Sequence, residues 1–63
     1  MYFSNLELKG VKFWNANMKQ SNFKQSNLSK SKLQGSNISD SQFNQAIFIG
    51  AQLQGVNLNN AKI

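Results

Sequence analysis

The sequence predicts an all-β fold of the solenoid type, and three observations predict it. Large apolar residues recur at every fifth position without a break, small residues keep the same period two positions earlier, and neither standard element can use a period of five. On an α-helix, steps of five residues advance the side chain by about 140° and leave no single apolar face. On a long strand, an odd period sends successive large residues to opposite faces. A chain that turns a corner every five residues satisfies the pattern, because each short side then points its small and its large residue to the same inside.

From residue 3 the large track reads Phe3, Leu8, Phe13, Met18, Phe23, Leu28, Leu33, Ile38, Phe43, Phe48, Leu53, Leu58 and Ile63. Large apolar residues make up a third of the chain, so an unbroken series of this length in one phase is about a one-in-a-million accident. The small track reads Met1, Leu6, Val11, Ala16, Ser21, Ser26, Ser31, Ser36, Ser41, Ala46, Ala51, Val56 and Ala61, with serine through the five middle units. Between the tracks lies a position rich in asparagine (Asn17, Asn22, Asn27, Asn37, Asn57), and the two positions after the large residue are polar or glycine almost throughout.

The number of sides follows from self-similarity. A shift of 20 residues gives 11 identities in 43 pairs and a shift of 15 gives 7 in 48, which favours four sides over three. The coils are then 1–20, 21–40 and 41–60, with 61–63 opening a fourth. At the ~4.8 Å spacing of neighbouring strands the stack stands roughly 15 Å tall. One inward column is Phe3, Phe23, Phe43 and Ile63, where rings can lie offset on one another; the others are Leu8, Leu28, Phe48, then Phe13, Leu33, Leu53, then Met18, Ile38, Leu58. The inward serines are expected to bond to backbone at the corners, and Asn17, Asn37 and Asn57 to form an amide ladder between coils.

The units SNFKQ, SNLSK, SNISD, AQLQG and VNLNN resemble the pentapeptide-repeat family over the whole chain. The resemblance implies a right-handed quadrilateral β-helix with four pentapeptides per coil. Serine in place of alanine through the middle, and the absence of aspartate at the polar position, depart from the family's usual pattern. Some members act as duplex-DNA mimics that bind DNA gyrase; that role needs a negative surface on a long rod, and this chain is short with a formal charge of +5.

Composition excludes most chemistry. Cysteine and histidine are absent, which removes disulfides, thiol chemistry and the usual zinc sites. The only acids, Glu7 and Asp40, fall on different sides and in different coils, so no carboxylate pair exists for acid–base work, and no cofactor or enzymatic activity is expected. The chain carries no membrane-span-length apolar run, and a cytoplasmic location is the expectation. Residues 1–63 read as one repeat domain, complete or a segment of a longer protein.

Two features point to interaction. Repeat stacks expose unpaired backbone groups at their ends, and the register here runs unbroken from end to end without a cap pattern, so a scaffold that self-associates by end-to-end stacking is expected. Within Ala46-Ile47-Phe48-Ile49-Gly50 the register turns Phe48 inward and Ile47 and Ile49 outward, which makes the two isoleucines the candidate contact surface. The alternative is a basic binder of nucleic acid or an anionic surface through Lys9, Lys12, Lys19, Lys24, Lys30 and Lys32, which crowd the first half. Read side by side these lysines form a girdle, with Lys9 and Lys30 on one side and Lys12 and Lys32 on the next.

Overall fold

A computed structural model describes all residues, 1–63. The corner comes first in the physical account. After each large residue the chain makes a two-residue turn, and the second turn residue has a positive φ at all twelve corners, from 53° at Asn15 to 73° at Gly10. A positive φ confined to that residue is the pattern of a type II turn. At eight corners the turn is closed by a bond from the small residue's N–H to the large residue's C=O three positions back, at 2.9–3.2 Å, as from Ser26 to Phe23.

Five residues less two for the corner leave three for a side, so each side has room for a single bridge and no ladder. Nine parallel bridges result, each joining residues twenty apart: Tyr2 to Asn22, Glu7 to Asn27, Lys12 to Lys32, and so on to Gln42 with Lys62. The middle residue of each side carries the bridge. Asn22 donates its N–H to Met1 O (2.8 Å) and accepts from Phe3 N–H (2.7 Å), while at the corner Asn5 N–H reaches Lys24 O (2.9 Å). No residue is helical. The chain is therefore a β-bridged coil of twenty-residue circuits, each circuit passing four turns.

The inside is filled by the large track. Phe3, Phe23 and Phe43 stack with centroids 4.8 Å apart and ring planes within 13° and 5° of parallel. Phe13 and Phe48 tilt against the two ends of that column, at 5.8 Å from Phe3 and 5.3 Å from Phe43. Offset ring pairs of this kind add about 0.5–1.5 kcal/mol each beyond area burial. Full burial is confined to the middle: Met18, Phe23, Leu28, Leu33, Ile38 and Phe43 form the core, whereas Leu53, Leu58 and Ile63 stand 38%, 39% and 81% exposed on the same inward track. A residue in the second coil has a coil on either side of it; Leu53 and Leu58 in the third have none above, whereas Phe43 still has residues 61–63 over it.

The small track lines the corners from within. Ser21, Ser26 and Ser36 donate their hydroxyls to the carbonyl three residues back, at 2.7–2.8 Å, and Ser41 reaches Met18 O at 3.2 Å while accepting Ser21 N–H at 3.0 Å. Ser31, fully buried, has no partner for its hydroxyl.

The asparagines correct an expectation. Asn17, Asn37 and Asn57 do stack on one side through their backbone bridges, but no amide ladder links their side chains. Each instead accepts the backbone N–H two residues ahead: Asn37 from Ser39 at 3.1 Å, Asn57 from Asn59 at 3.0 Å, and Asn17 from Lys19 at a long 3.5 Å. Asn22 and Asn27 do the same for Lys24 and Ser29. The reason lies in the coil geometry. The first turn residue's N–H takes no part in the bonds between coils, and an Asx turn from the asparagine two positions earlier supplies its acceptor.

Candidate interaction face

With the inside filled by packing, chemistry is left to the outer sides and the two coil ends. The side built from residues 11–15, 31–35 and 51–55 carries the most. Its bridge positions hold Lys12, Lys32 and Gln52, and the positions after the large residue hold Trp14, Gln34 and Gln54. Trp14 is 53% exposed yet fixed: its indole N–H donates to Gln34 Oε1 at 3.0 Å, and Gln34 in turn donates to Gln52 Oε1. The amide relay thus crosses all three coils and ends on the ring. Lys12 Nζ lies 5.4 Å from the ring centroid, a cation–π contact worth about 0.5–1 kcal/mol at an exposed site.

The lysines that sequence position assigns to separate sides meet at the corner before this face. Residues 8–11 form one turn, closed by Val11 N–H to Leu8 O at 3.1 Å, so Lys9 and Lys12 flank the same corner. Residues 28–31 turn directly above it, closed by Ser31 N–H to Leu28 O at 3.1 Å, and place Lys30 and Lys32 likewise. Gly10 N–H bonds Ser29 O (2.9 Å) and Lys32 N–H bonds Val11 O (2.8 Å), which locks the two turns together. Lys19 and Lys24 lie on the two remaining sides, in the first and second coils.

Ile47 and Ile49 occupy the third coil of the neighbouring side, 44% and 74% exposed, and Phe48 between them is half-buried against the core. The positions below Ile47 are Asn27 and Glu7, so the side passes from polar to apolar as it rises.

Trp14 is the residue that sequence reasoning did not single out. The signal was present: the register places it outward, at a position otherwise polar or glycine almost throughout. Elsewhere, an open groove of about 430 Å³ between Tyr2, Gln20, Asp40 and Gln42 contains one carboxylate and no second acid to work with it. No group of three or more metal-ligating side chains assembles anywhere on the molecule. No helix is long and apolar enough to cross a membrane.

A filled β-coil of five-residue units, with its polar and aromatic groups displayed on flat outer sides, defines a repeat protein of the solenoid class. The chain belongs to the pentapeptide-repeat family: a family model of pentapeptide repeats, eight copies long, matches residues 2–40 and again residues 26–63. No curated protein matches the chain.

Proposed function

We propose that this chain is a non-enzymatic interaction scaffold, a right-handed quadrilateral β-helix that docks protein partners and self-associates through its coil ends. The observation that carries the reading is the chemistry of the two end coils. Within the chain, the N–H groups of Phe48, Gly50, Leu53, Gly55, Leu58 and Asn60 in the third coil find no acceptor. The C=O groups of Glu7, Lys9, Lys12, Trp14, Asn17 and Lys19 in the first coil likewise receive no donor. These are the same unit positions that pair between adjacent coils elsewhere, so one end offers the donors that the other end lacks.

Apolar surface favours the same contact. Leu53, Leu58 and Ile63 are exposed on the end where the donors lie, beside Ile47 and Ile49. The +5 charge sets this chain apart from a duplex mimic, which needs the opposite sign.

Sedimentation across a range of concentrations tests the reading. Reversible association is expected, weakened when Ile47 and Ile49 are both replaced by lysine and abolished when Leu53 and Leu58 are. A monomer at every concentration, with an intact β spectrum, would refute self-association. Association untouched by Ile47→Lys with Ile49→Lys would remove that pair from the contact.

A further inference from the structure

We infer that the face carrying Trp14, together with the corner before it, binds single-stranded nucleic acid, with an unpaired base stacked on the indole and the phosphates on Lys9, Lys12, Lys30 and Lys32. This site lies on a side of the coil and does not depend on stacking at the coil ends.

Three observations converge on that ligand. The first is charge held without dilution. Lys12 and Lys32 face each other across a bridge, an arrangement that like charges disfavour, and Lys9 and Lys30 add to them at the adjoining corner. Glu7 is the only acid nearby, on the first coil of the preceding side, and four lysines less one glutamate leave this surface at +3. Asp40 belongs to a different corner.

The second is the ring itself. Exposed tryptophans are ordinarily free to rotate, and each rotamer lost on binding weakens the complex. Trp14 is already held by Gln34, which is held by Gln52, so its exposed ring is ordered before a ligand arrives. A fixed aromatic platform beside a cationic groove is the combination that binds single strands with little sequence preference.

The third is what surrounds the ring. The neighbours on its own face are amides and lysines, namely Gln34, Gln52, Gln54, Lys12 and Lys32. Amides suit base edges better than acyl chains, which argues for a nucleic acid over a lipid surface. A duplex keeps its bases stacked on each other and offers the indole nothing to stack on, and the chain holds no arginine for a bidentate contact in a groove.

Trp14 is the only tryptophan, so its emission reports on the site directly. The probe is a short oligothymidylate, titrated at low salt while indole fluorescence is followed. Quenching with saturable binding is expected. The logarithm of the binding constant should fall with the logarithm of salt concentration at a slope of about −3, the value for four lysines on a single strand. Lys12→Gln with Lys32→Gln should halve that slope, and Trp14→Ala, which removes the indole and is therefore followed by the anisotropy of a dye-labelled oligothymidylate alongside the parent, should weaken binding about tenfold at unchanged slope. Three controls give the overturning results. Heparin bound as tightly as the oligonucleotide would reduce the site to a general polyanion surface, and a duplex bound more tightly than the single strand would exclude base stacking. Vesicles of anionic phospholipid bound in preference to both would assign the face to membranes. Absence of binding at low salt, with the β spectrum intact, would refute the site altogether.

Discussion

Ser31→Ala should stabilise this chain, and the same replacement at Ser26 should weaken it. The two serines occupy equivalent corners in the second coil, and both are fully buried. Ser26 donates its hydroxyl to Phe23 O at 2.8 Å. The corresponding acceptor for Ser31 is Leu28 O, which takes the Ser31 backbone N–H at 3.1 Å but not its hydroxyl. A buried hydroxyl without a partner costs about 1–3 kcal/mol, and alanine removes that cost while keeping the inward Cβ. Ala46 and Ala51 already serve on the same small track. At Ser26 the change deletes a hydrogen bond worth about 0.5–1.5 kcal/mol without stranding its acceptor, because Phe23 O keeps the Ser26 N–H at 3.1 Å. The two variants should therefore differ by about 1.5–4.5 kcal/mol, with opposite signs relative to the parent. For a domain of this size about 1 kcal/mol moves the thermal midpoint by about 4–8 °C. Thermal unfolding followed by circular dichroism should show Ser31→Ala melting at least a few degrees above the parent and Ser26→Ala below it. If Ser31→Ala melts as low as Ser26→Ala, the hydroxyl is satisfied and the reasoning fails.

Other positions give sharper local tests. Asn27→Ala deprives both the N–H and the hydroxyl of buried Ser29 of their acceptor and should cost about 1–2 kcal/mol by urea unfolding, whereas Asn27→Asp keeps the acceptor and should hold most of the stability. Gly35→Ala should cost more than the ~1–2 kcal/mol of a strained positive φ (71°), because a Cβ there would land on the Asn15 side-chain oxygen. Adding Asn15→Ala should recover the steric part and leave the strain, a difference readable in a double-mutant cycle. Phe23→Ala removes the middle of the three-ring column and should cost about 3–5 kcal/mol for the cavity, with the two stacks in addition. In a chain this small that should abolish the cooperative transition, and a melt that stays cooperative would show that the column is not the core's main support.

Which residues face inward was legible in the sequence, because the corner geometry repeats with the covalent chain and a five-residue period leaves one way to orient it. How deeply each is buried was not. Ile38 and Leu58 occupy the same column and the same unit position, yet one is 0% and the other 39% exposed, with a coil on either side of the first and on only one side of the second. The asparagines were misread for a related reason. An amide between stacked copies of itself can bond outward to its neighbour or back to its own chain, and the choice is decided by which backbone N–H the bonds between coils leave unpaired. Only the full set of those bonds identifies it as the first turn residue's. Trp14 and Gln34 stand twenty residues apart, so their hydrogen bond follows from the circuit length combined with an outward register. The gathering of Lys9, Lys12, Lys30 and Lys32 needed the turns themselves, which join sides that a count by fives keeps apart.

The twenty-residue offset of every bridge also governs how such a chain can change in length. Loss of residues 21–25 would leave all the remaining large residues on their inward track, and the interior would close again with Leu28 above Phe3. The outside would not survive the same edit. Each later unit would move round by one side, Lys12 would face Asn37 in place of Lys32, and Trp14 would lose Gln34 as its partner. Insertions and deletions of five thus keep the inward track while changing which large residues stack and which outer residues meet, whereas those of twenty also keep every remaining residue on its own side.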